Sequence, residues 1–141
     1  MANSVTLEII TPSKLFYRGE VEMLIVKTVT GEEGFMAGHS WACKLLTAGR
    51  LRFKEVGAKD FKVAAVAGGF VDVRDTFVVF TDAAEWPEEI DIERALEVKR
   101  LAEEWLKNPS DDDNEIEIAK FALIKAINRI KIGESEGRSG R

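Results

Sequence analysis

Residues 68–81 read GGFVDVRDTFVVFT, and this stretch decides the fold of the first half of the chain. Two runs of β-branched and aromatic residues, 70–73 and 77–81, are separated by three residues, a spacing typical of a tight β-hairpin. The glycine pair in front of the first run does not indicate a phosphate-binding loop, because it leads into a strand and no lysine or helix N-terminus follows. We therefore predict hairpin geometry for Gly68 and Gly69.

The same alternation of apolar and polar residues continues upstream, between Gly, Pro and Asp breaks. It predicts further strands over residues 5–10, 21–29, 51–56 and 61–66, and Gly31-Glu32-Glu33-Gly34 is expected to be the turn that ends the second of them. Six or more short strands with no helical period between most of them predict an antiparallel sandwich or barrel.

The chain changes character near Trp86-Pro87. Residues 1–87 carry 11 acidic and 10 basic residues, whereas the shorter remainder carries 14 and 10. This denser segment has helical spacing, with two apolar stripes that each follow one helix face. The first stripe comprises Ala95, Val98, Ala102, Trp105 and Leu106, and the second comprises Ile116, Ala119, Leu123, Ala126 and Ile130.

Helix-stop and helix-start signals separate the two stripes. Asn108-Pro109-Ser110-Asp111 is expected to end the first helix, and Asp112 with Glu115 forms a predicted capping box for the second. The sequence therefore predicts two domains of β + α type, an N-terminal antiparallel β-sandwich over 1–86 followed by an α-helical hairpin over 87–133. Residues 134–141, rich in Gly, Ser and charge, are expected to form a disordered tail.

Composition excludes several classes of protein. No apolar run approaches the ~20 residues that cross a bilayer, and the N-terminus lacks the pattern of a secretory signal. A single cysteine, Cys43, cannot form an internal disulfide. The net charge of −5 disfavours binding to nucleic acid. A cytosolic protein without a nucleic-acid partner is the default expectation.

Four local motifs, in order, resemble the epsilon subunit of the bacterial F-type ATP synthase. The first is the glycine-rich segment 31–34 followed by Gly38-His39, and the second is the Gly-Gly-Phe-Val-Asp-Val run of residues 68–73. The third is Ile90-Asp91-Ile92-Glu93-Arg94-Ala95 after Ala84-Glu85, and the fourth is Ala126-Ile127-Asn128-Arg129. The family has Ala-Pro after Gly-His, where this chain has Ser40-Trp41.

The resemblance implies a non-catalytic rotor subunit of the central stalk. Its sandwich would link the gamma subunit to the polar loops of the c-ring and so couple proton or sodium flow to ATP synthesis, with Glu32, Glu33 and His39 as contact candidates. Its hairpin would extend towards the alpha and beta subunits and inhibit ATP hydrolysis. In that state a basic edge of the second helix, which includes Lys120 and Lys131, would meet an acidic partner. The expected location is the cytoplasmic face of the cell membrane, peripherally and within the complex.

The resemblance also implies a regulatory ATP site at Glu85, Asp91 and Arg94, with Lys125 and Arg129 near the phosphates. ATP would be a ligand rather than a required cofactor, since the chain has no Walker loop, magnesium carboxylate or water-positioning residue. ATP-binding members of the family carry a further arginine where this chain has Leu101. Asp91 and Arg94 also have a purely structural interpretation, as the cap and first turn of a helix.

The sequence also leaves open two other classes of protein. One is a stand-alone β-sandwich adaptor with an appended hairpin. The other is a small enzyme or metal protein built on His39 and Cys43, although no second His or Cys is present to complete a metal site.

Overall fold

The computed structural model describes residues 3–136 and divides the chain into two compact units between Glu85 and Trp86. The first unit contains only strands, and the second contains a short 3₁₀ turn and two helices. The predicted β-sandwich followed by a helical hairpin is therefore confirmed. The division lies one residue before the predicted position.

Seven strands form one sheet that closes on itself. They are β1 (Val5–Ile10), β2 (Leu15–Thr28), β3 (Gly31–Met36), β4 (Ala42–Glu55), β5 (Lys62–Val73), β6 (Thr76–Phe80) and β7 (Ala84–Glu85). Their order is β1-β6-β5-β4-β2-β3, β1 also pairs with β2, and β7 pairs with β5. All pairs are antiparallel except β1–β6, which is parallel. β1 closes a ring of five strands between β2 and β6, and a ring with an odd number of strands must contain at least one parallel pair.

The core of this unit lies on the inner side of the closed sheet. Strand β1 shows the expected period of two, with Val5, Leu7 and Ile9 buried and their neighbours half-buried. The largest fully buried side chains in the unit include Phe35, Phe53, Leu7, Leu24 and Phe77.

The predicted hairpin of residues 70–81 is confirmed, with a turn at Arg74-Asp75, but the glycine pair lies inside β5 rather than at a turn. The buried residues of β5 before Gly68 are the even-numbered Ala64 and Val66 together with Ala65, whereas after Gly69 they are the odd-numbered Val71 and Val73. Both glycines have positive φ, at 99° and 116°. A Cβ on Gly69 would collide with the carbonyl oxygen of Phe80. The glycine pair therefore allows β5 to switch which of its two faces is turned towards the core. A residue with a side chain at position 69 would obstruct this switch.

The prediction that residues 31–34 form a turn is wrong. Gly31–Met36 is strand β3, paired with β2, and the turn is Val29-Thr30. Pairing with the long strand β2 overrides the low strand propensity of Gly and Glu, because β-propensity depends strongly on context. β4 is about twice as long as the predicted strand 51–56, and β5 joins the two predicted strands 61–66 and 70–73 into one.

One tyrosine connects β2 to the far end of β4. The Tyr17 hydroxyl donates to the Glu55 carboxylate at 2.6 Å, and Lys62 pairs with the same carboxylate at 3.2 Å. Burial, followed by the bond to Glu55, raises the pKa of Tyr17 well above its usual range. The hydrogen bond from Tyr17 and then the contact with Lys62 lower the pKa of Glu55.

We expect the Tyr17 phenol to stay protonated in the folded protein at pH values near 10, where an unperturbed tyrosine ionises. Because the folded-state pKa is raised, the stabilisation is fully present below about pH 10 and is lost as the pH rises further. Tyr17 is the only tyrosine, so tyrosinate absorbance during an alkaline titration reports this group alone. A tyrosinate signal that appears at the ordinary pKa of tyrosine while the protein stays folded would contradict the hydrogen bond from Tyr17 to Glu55. Tyr17→Phe serves as the control, and its stability should converge with that of the wild type in alkali.

The second unit is a helical hairpin. A 3₁₀ turn (Pro87–Glu89) precedes α1 (Ile92–Lys107), and α2 spans Asp113–Ser135. The Asp91 carboxylate caps α1 by accepting a hydrogen bond from the Arg94 backbone N–H at 3.0 Å. The Asp112 carboxylate caps α2 in the same way, by accepting from the Asn114 backbone N–H at 2.8 Å. Both caps were predicted. Glu115 was expected to complete a capping box, but its carboxylate accepts from the Ser110 hydroxyl instead.

The second helix continues past the end predicted from sequence. Gly133 and Ile132 are buried, and a Cβ on Gly133 would lie 3.0 Å from Ile92. Packing against the start of α1 therefore keeps residues 133–135 helical, although the sequence placed a disordered tail from residue 134. The rest of that predicted tail, residues 137–141, lies outside the described residues. Neither helix in the described range is long and apolar enough to cross a bilayer.

Candidate functional site

The outer face of the sandwich carries a continuous row of apolar side chains, four of them exposed and one, Ile10, half-buried. Each member is the register partner of the next across β4, β5, β6, β1 and β2. This outer row consists of Leu45, Phe70, Phe80, Ile10 and Leu15. Leu45 is 75% exposed, Leu15 53%, and the two phenylalanines 38% each.

The outer row is wide enough to bind a macromolecular partner. Five strands at a spacing of ~4.8 Å give the row a length of about 19 Å along the curved surface of the closed sheet. Phe70 and Phe80 stack with ring centroids 4.9 Å apart. Charged pairs lie on nearby positions of the same strands, Glu8–Arg18 at 3.4 Å and Asp72–Arg74 at 3.2 Å. A contiguous apolar surface with polar flanks is characteristic of a protein–protein interface.

The loop after β3 holds the single histidine. Its backbone N–H donates to the Met36 carbonyl, its Nδ1 lies 2.7 Å from the Ser40 carbonyl, and its ring meets the buried Phe35 edge-on at 4.9 Å. His39 is exposed but fixed against the core. Trp41, where the family motif has proline, is 67% exposed and lies under the Arg74 guanidinium at 5.4 Å.

The two contact candidates on β3 are both engaged by cations of β4. Glu32 pairs with Arg52 at 3.2 Å and with Arg50 at 3.9 Å. Glu33 pairs with Lys44 at 3.6 Å and also accepts from the buried Thr28 hydroxyl. Any partner that contacts these carboxylates therefore meets ion pairs on a strand rather than free acids on a turn.

The five candidate ATP residues are divided between the units. Glu85 lies on β7 in the first unit, where it is the register partner of Ala65, and the other four lie in the hairpin. One carboxylate oxygen of Asp91 is used as the helix cap. The structural interpretation of Asp91 is therefore confirmed, and its role towards a nucleotide stays a prediction.

Arg94 and Arg129 lie on the same side of the hairpin. α1 buries Ala95 and Ala102 and α2 buries Ala126, so these residues mark the faces through which the helices pack. At about 100° per residue, Arg94 is rotated by about 100° from Ala95, and Arg129 by about 60° from Ala126, in the same sense along the chain. Because the helices are antiparallel, rotations in the same sense bring both positions to one side.

Lys125 and Leu101 fall on this same side, whereas Lys120 and Lys131 are rotated the other way. The four cations of α2 therefore do not share the single basic edge expected from sequence. Lys125 and Arg129 lie on one flank of α2, and Lys120 and Lys131 lie on the other. Residues five or six positions apart, such as Lys120 and Lys125 or Lys125 and Lys131, point in directions more than about 100° apart on a helix. Lys120 also pairs with Glu117 at 3.9 Å.

Arg100 does not take the place of an arginine at position 101. Its guanidinium is bound by Glu97 at 2.7 Å and by Glu104 at 2.9 Å along the exposed surface of α1. The contact with Glu97 raises the pKa of Arg100, and the same contact lowers the pKa of Glu97. Position 101 itself is an exposed leucine.

The exposed surface of α2 is the feature that sequence reasoning missed most clearly. Ile118, Phe121, Ile124 and Ile127 are between 44% and 68% exposed, although the opposite stripe already packs on α1. Residues 118–133 contain four basic residues and no acidic one. Cys43 is exposed on β4, and no group of three potential metal ligands occurs within residues 3–136.

The chain matches two families along its length. Residues 4–87 match "ATP synthase, Delta/Epsilon chain, beta-sandwich domain", and residues 88–134 match "ATP synthase, Delta/Epsilon chain, long alpha-helix domain". Among similar proteins, the ATP synthase epsilon chain of Caldicellulosiruptor saccharolyticus is 42% identical over 95% of this chain and 96% of its own length. That of Alkaliphilus metalliredigens is 40% identical over 96% and 100%.

A solved structure supports the fold. A chain in the Euglena gracilis mitochondrial ATP synthase, in an assembly described as OSCP/F1/c-ring, aligns with a TM-score of 0.76 and 24% identity over 91% of this chain and 80% of that chain. Together these matches define a two-domain, non-catalytic subunit of an ATP synthase. The chain belongs to the ATP synthase delta/epsilon family, among the epsilon chains. This membership replaces the adaptor and the thiol enzyme considered from sequence.

Proposed function

We propose that this chain is a central-stalk rotor subunit that couples ion flow through the c-ring to ATP synthesis. The observation that carries the proposal is the outer row, since five aligned apolar side chains, four of them exposed, indicate a partner. The gamma subunit is the proposed partner of this row. Retention of the full chain by an F1 complex prepared without its epsilon chain tests the proposal, and failure to co-elute would count against it.

The polar loops of the c-ring are proposed to meet the loop that carries His39, together with the β3 carboxylates. Loop and carboxylates are already fixed by contacts within the sandwich, to Phe35 and to β4 respectively. A fixed surface loses little conformational entropy on binding, which favours a contact that must persist while the rotor turns. The complex would hold the chain peripherally at the cytoplasmic face of the membrane.

The hairpin is proposed to act as a brake on ATP hydrolysis. Extended towards the alpha and beta subunits, α2 would present its exposed apolar residues with Lys120 and Lys131 beside Ile124 and Ile127. A partner surface that complements this combination would be apolar at its centre and acidic at its border. The apolar residues of α2 are available for such a contact, since they stay exposed when the opposite face of α2 packs on α1.

ATP is proposed as the regulatory ligand that favours the folded hairpin. Arg94 and Arg129, on one side of the hairpin with Lys125, could bind a polyphosphate by charge-assisted hydrogen bonds. Asp91 would contribute by fixing the first turn of α1, next to Arg94, and Glu85 is retained as a candidate from the family motif. Bound ATP would shift a conformational equilibrium only by its differential affinity for the two states, without being hydrolysed.

We expect full-length protein to release or absorb heat on titration with ATP in the millimolar range or below, and Arg94→Ala to weaken binding about tenfold or more through loss of a charge-assisted contact. Arg100→Ala is the matched control, because Arg100 lies on the same helix but is bound by Glu97 and Glu104. It should leave ATP affinity unchanged. No heat and no rise in melting temperature with millimolar ATP would remove the regulatory site.

A further inference from the structure

Phe121 and Lys125 form a contact on the outer surface of α2. The Lys125 ammonium lies 4.9 Å from the centroid of the Phe121 ring, within the range of a cation–π interaction. The pair lines an open depression of about 420 Å³ together with Glu117, Ile118 and Ala122. No acidic side chain pairs with Lys125 among the described residues, so the ring is what holds the ammonium.

This contact draws the ammonium away from Arg94. Helical side chains lean towards the N-terminus of their helix, and Phe121 lies one turn before Lys125 in that direction. Gly133, at the other end of α2, packs against Ile92 next to Arg94. The twelve helical steps from Phe121 to Gly133 span about 18 Å. The ammonium is therefore held towards the interhelical loop, and Arg94 lies near the opposite end.

We propose that Phe121 holds Lys125 off the polyphosphate-binding side of the hairpin and thereby lowers the affinity of the resting protein for ATP. The inference rests on the regulatory ATP site proposed above and adds a device that tunes it. For Lys125 to reach a phosphate shared with Arg94, its ammonium must leave the ring. The lost cation–π contact then subtracts from the binding free energy.

Calorimetric titration of full-length variants with ATP and with inorganic tripolyphosphate tests this role. Tripolyphosphate has no base, so an effect on it cannot come from base stacking on Phe121. Phe121→Leu should bind both anions about threefold more tightly than the wild type, the size expected for one exposed cation–π contact. Phe121→Tyr keeps the ring face and should match the wild type. The ring is 45% exposed, so both variants should fold.

A double-variant cycle separates this role from a general effect on the helix. In a Lys125→Ala background, Phe121→Leu should leave both affinities unchanged. If the wild type binds ATP but Phe121→Leu binds equally or more weakly, the role of Phe121 is overturned and the ATP site remains. If neither the wild type nor Phe121→Leu binds either anion, the ATP site and the role of Phe121 fail together.

Discussion

Phe80→Asp should weaken binding of this chain to an F1 complex that lacks its epsilon chain by about 30-fold or more. Phe80 is the middle of the outer row, flanked by its register partners Phe70 and Ile10. Truncation of a central aromatic residue in an interface commonly costs 2 kcal/mol or more, and a carboxylate would in addition be buried without a partner. The expected loss is therefore mainly an increase in dissociation rate, measurable by surface-immobilised F1.

Val29→Asp is the matched control for this substitution. Within residues 3–136, Val29 is the most exposed large apolar side chain, at 83%, and it lies in the turn between β2 and β3, outside the row. It should bind F1 as the wild type does. Equal binding by Phe80→Asp and Val29→Asp, with both proteins folded, would show that the outer row does not face the central stalk.

The elements that sequence predicted well are those fixed by local chemistry. The helix caps at Asp91 and Asp112 depend on a side chain and a backbone N–H two or three residues away. The strand Val5–Ile10 shows its period of two directly in the sequence. Such contacts need no knowledge of distant parts of the chain.

The elements that sequence missed depend on pairing between strands. β3 is a strand because it pairs with β2 across the Val29-Thr30 turn, although its residues are typical of a turn. The outer row becomes a surface only when register aligns Leu45 with Phe70, and Phe80 with Ile10. Alternation within each strand shows which residues face outwards, but not which strands are neighbours.

The candidate ATP site illustrates the same limit within the hairpin. Lys125 and Arg129, both expected near the phosphates, lie four residues apart on one edge of α2 by helical phase. The contact of Lys125 with Phe121 was not predicted, although its i,i+4 spacing is visible in the sequence. The prediction that Lys120 and Lys131 belong to the same basic edge as Lys125 and Arg129 is wrong, because helical phase places them on the opposite flank of α2.

We propose that the sandwich binds the central stalk and that the hairpin inhibits ATP hydrolysis. The sandwich has its own buried core and closed sheet, so a truncated chain ending at Trp86 is expected to fold. Full-length and truncated proteins should both co-elute with F1 that lacks its epsilon chain. Only the full-length protein should slow ATP hydrolysis, since only it carries α2 with its exposed apolar and basic surface.

The most direct test is therefore to follow co-elution and ATP hydrolysis together for these two proteins. We predict that both proteins bind F1 and that only the full-length chain inhibits ATP hydrolysis, by severalfold or more. Added ATP should relieve part of this inhibition. Binding by neither protein would contradict the assignment of the sandwich to the central stalk. Equal hydrolysis rates with both proteins bound would contradict the role of the hairpin as a brake.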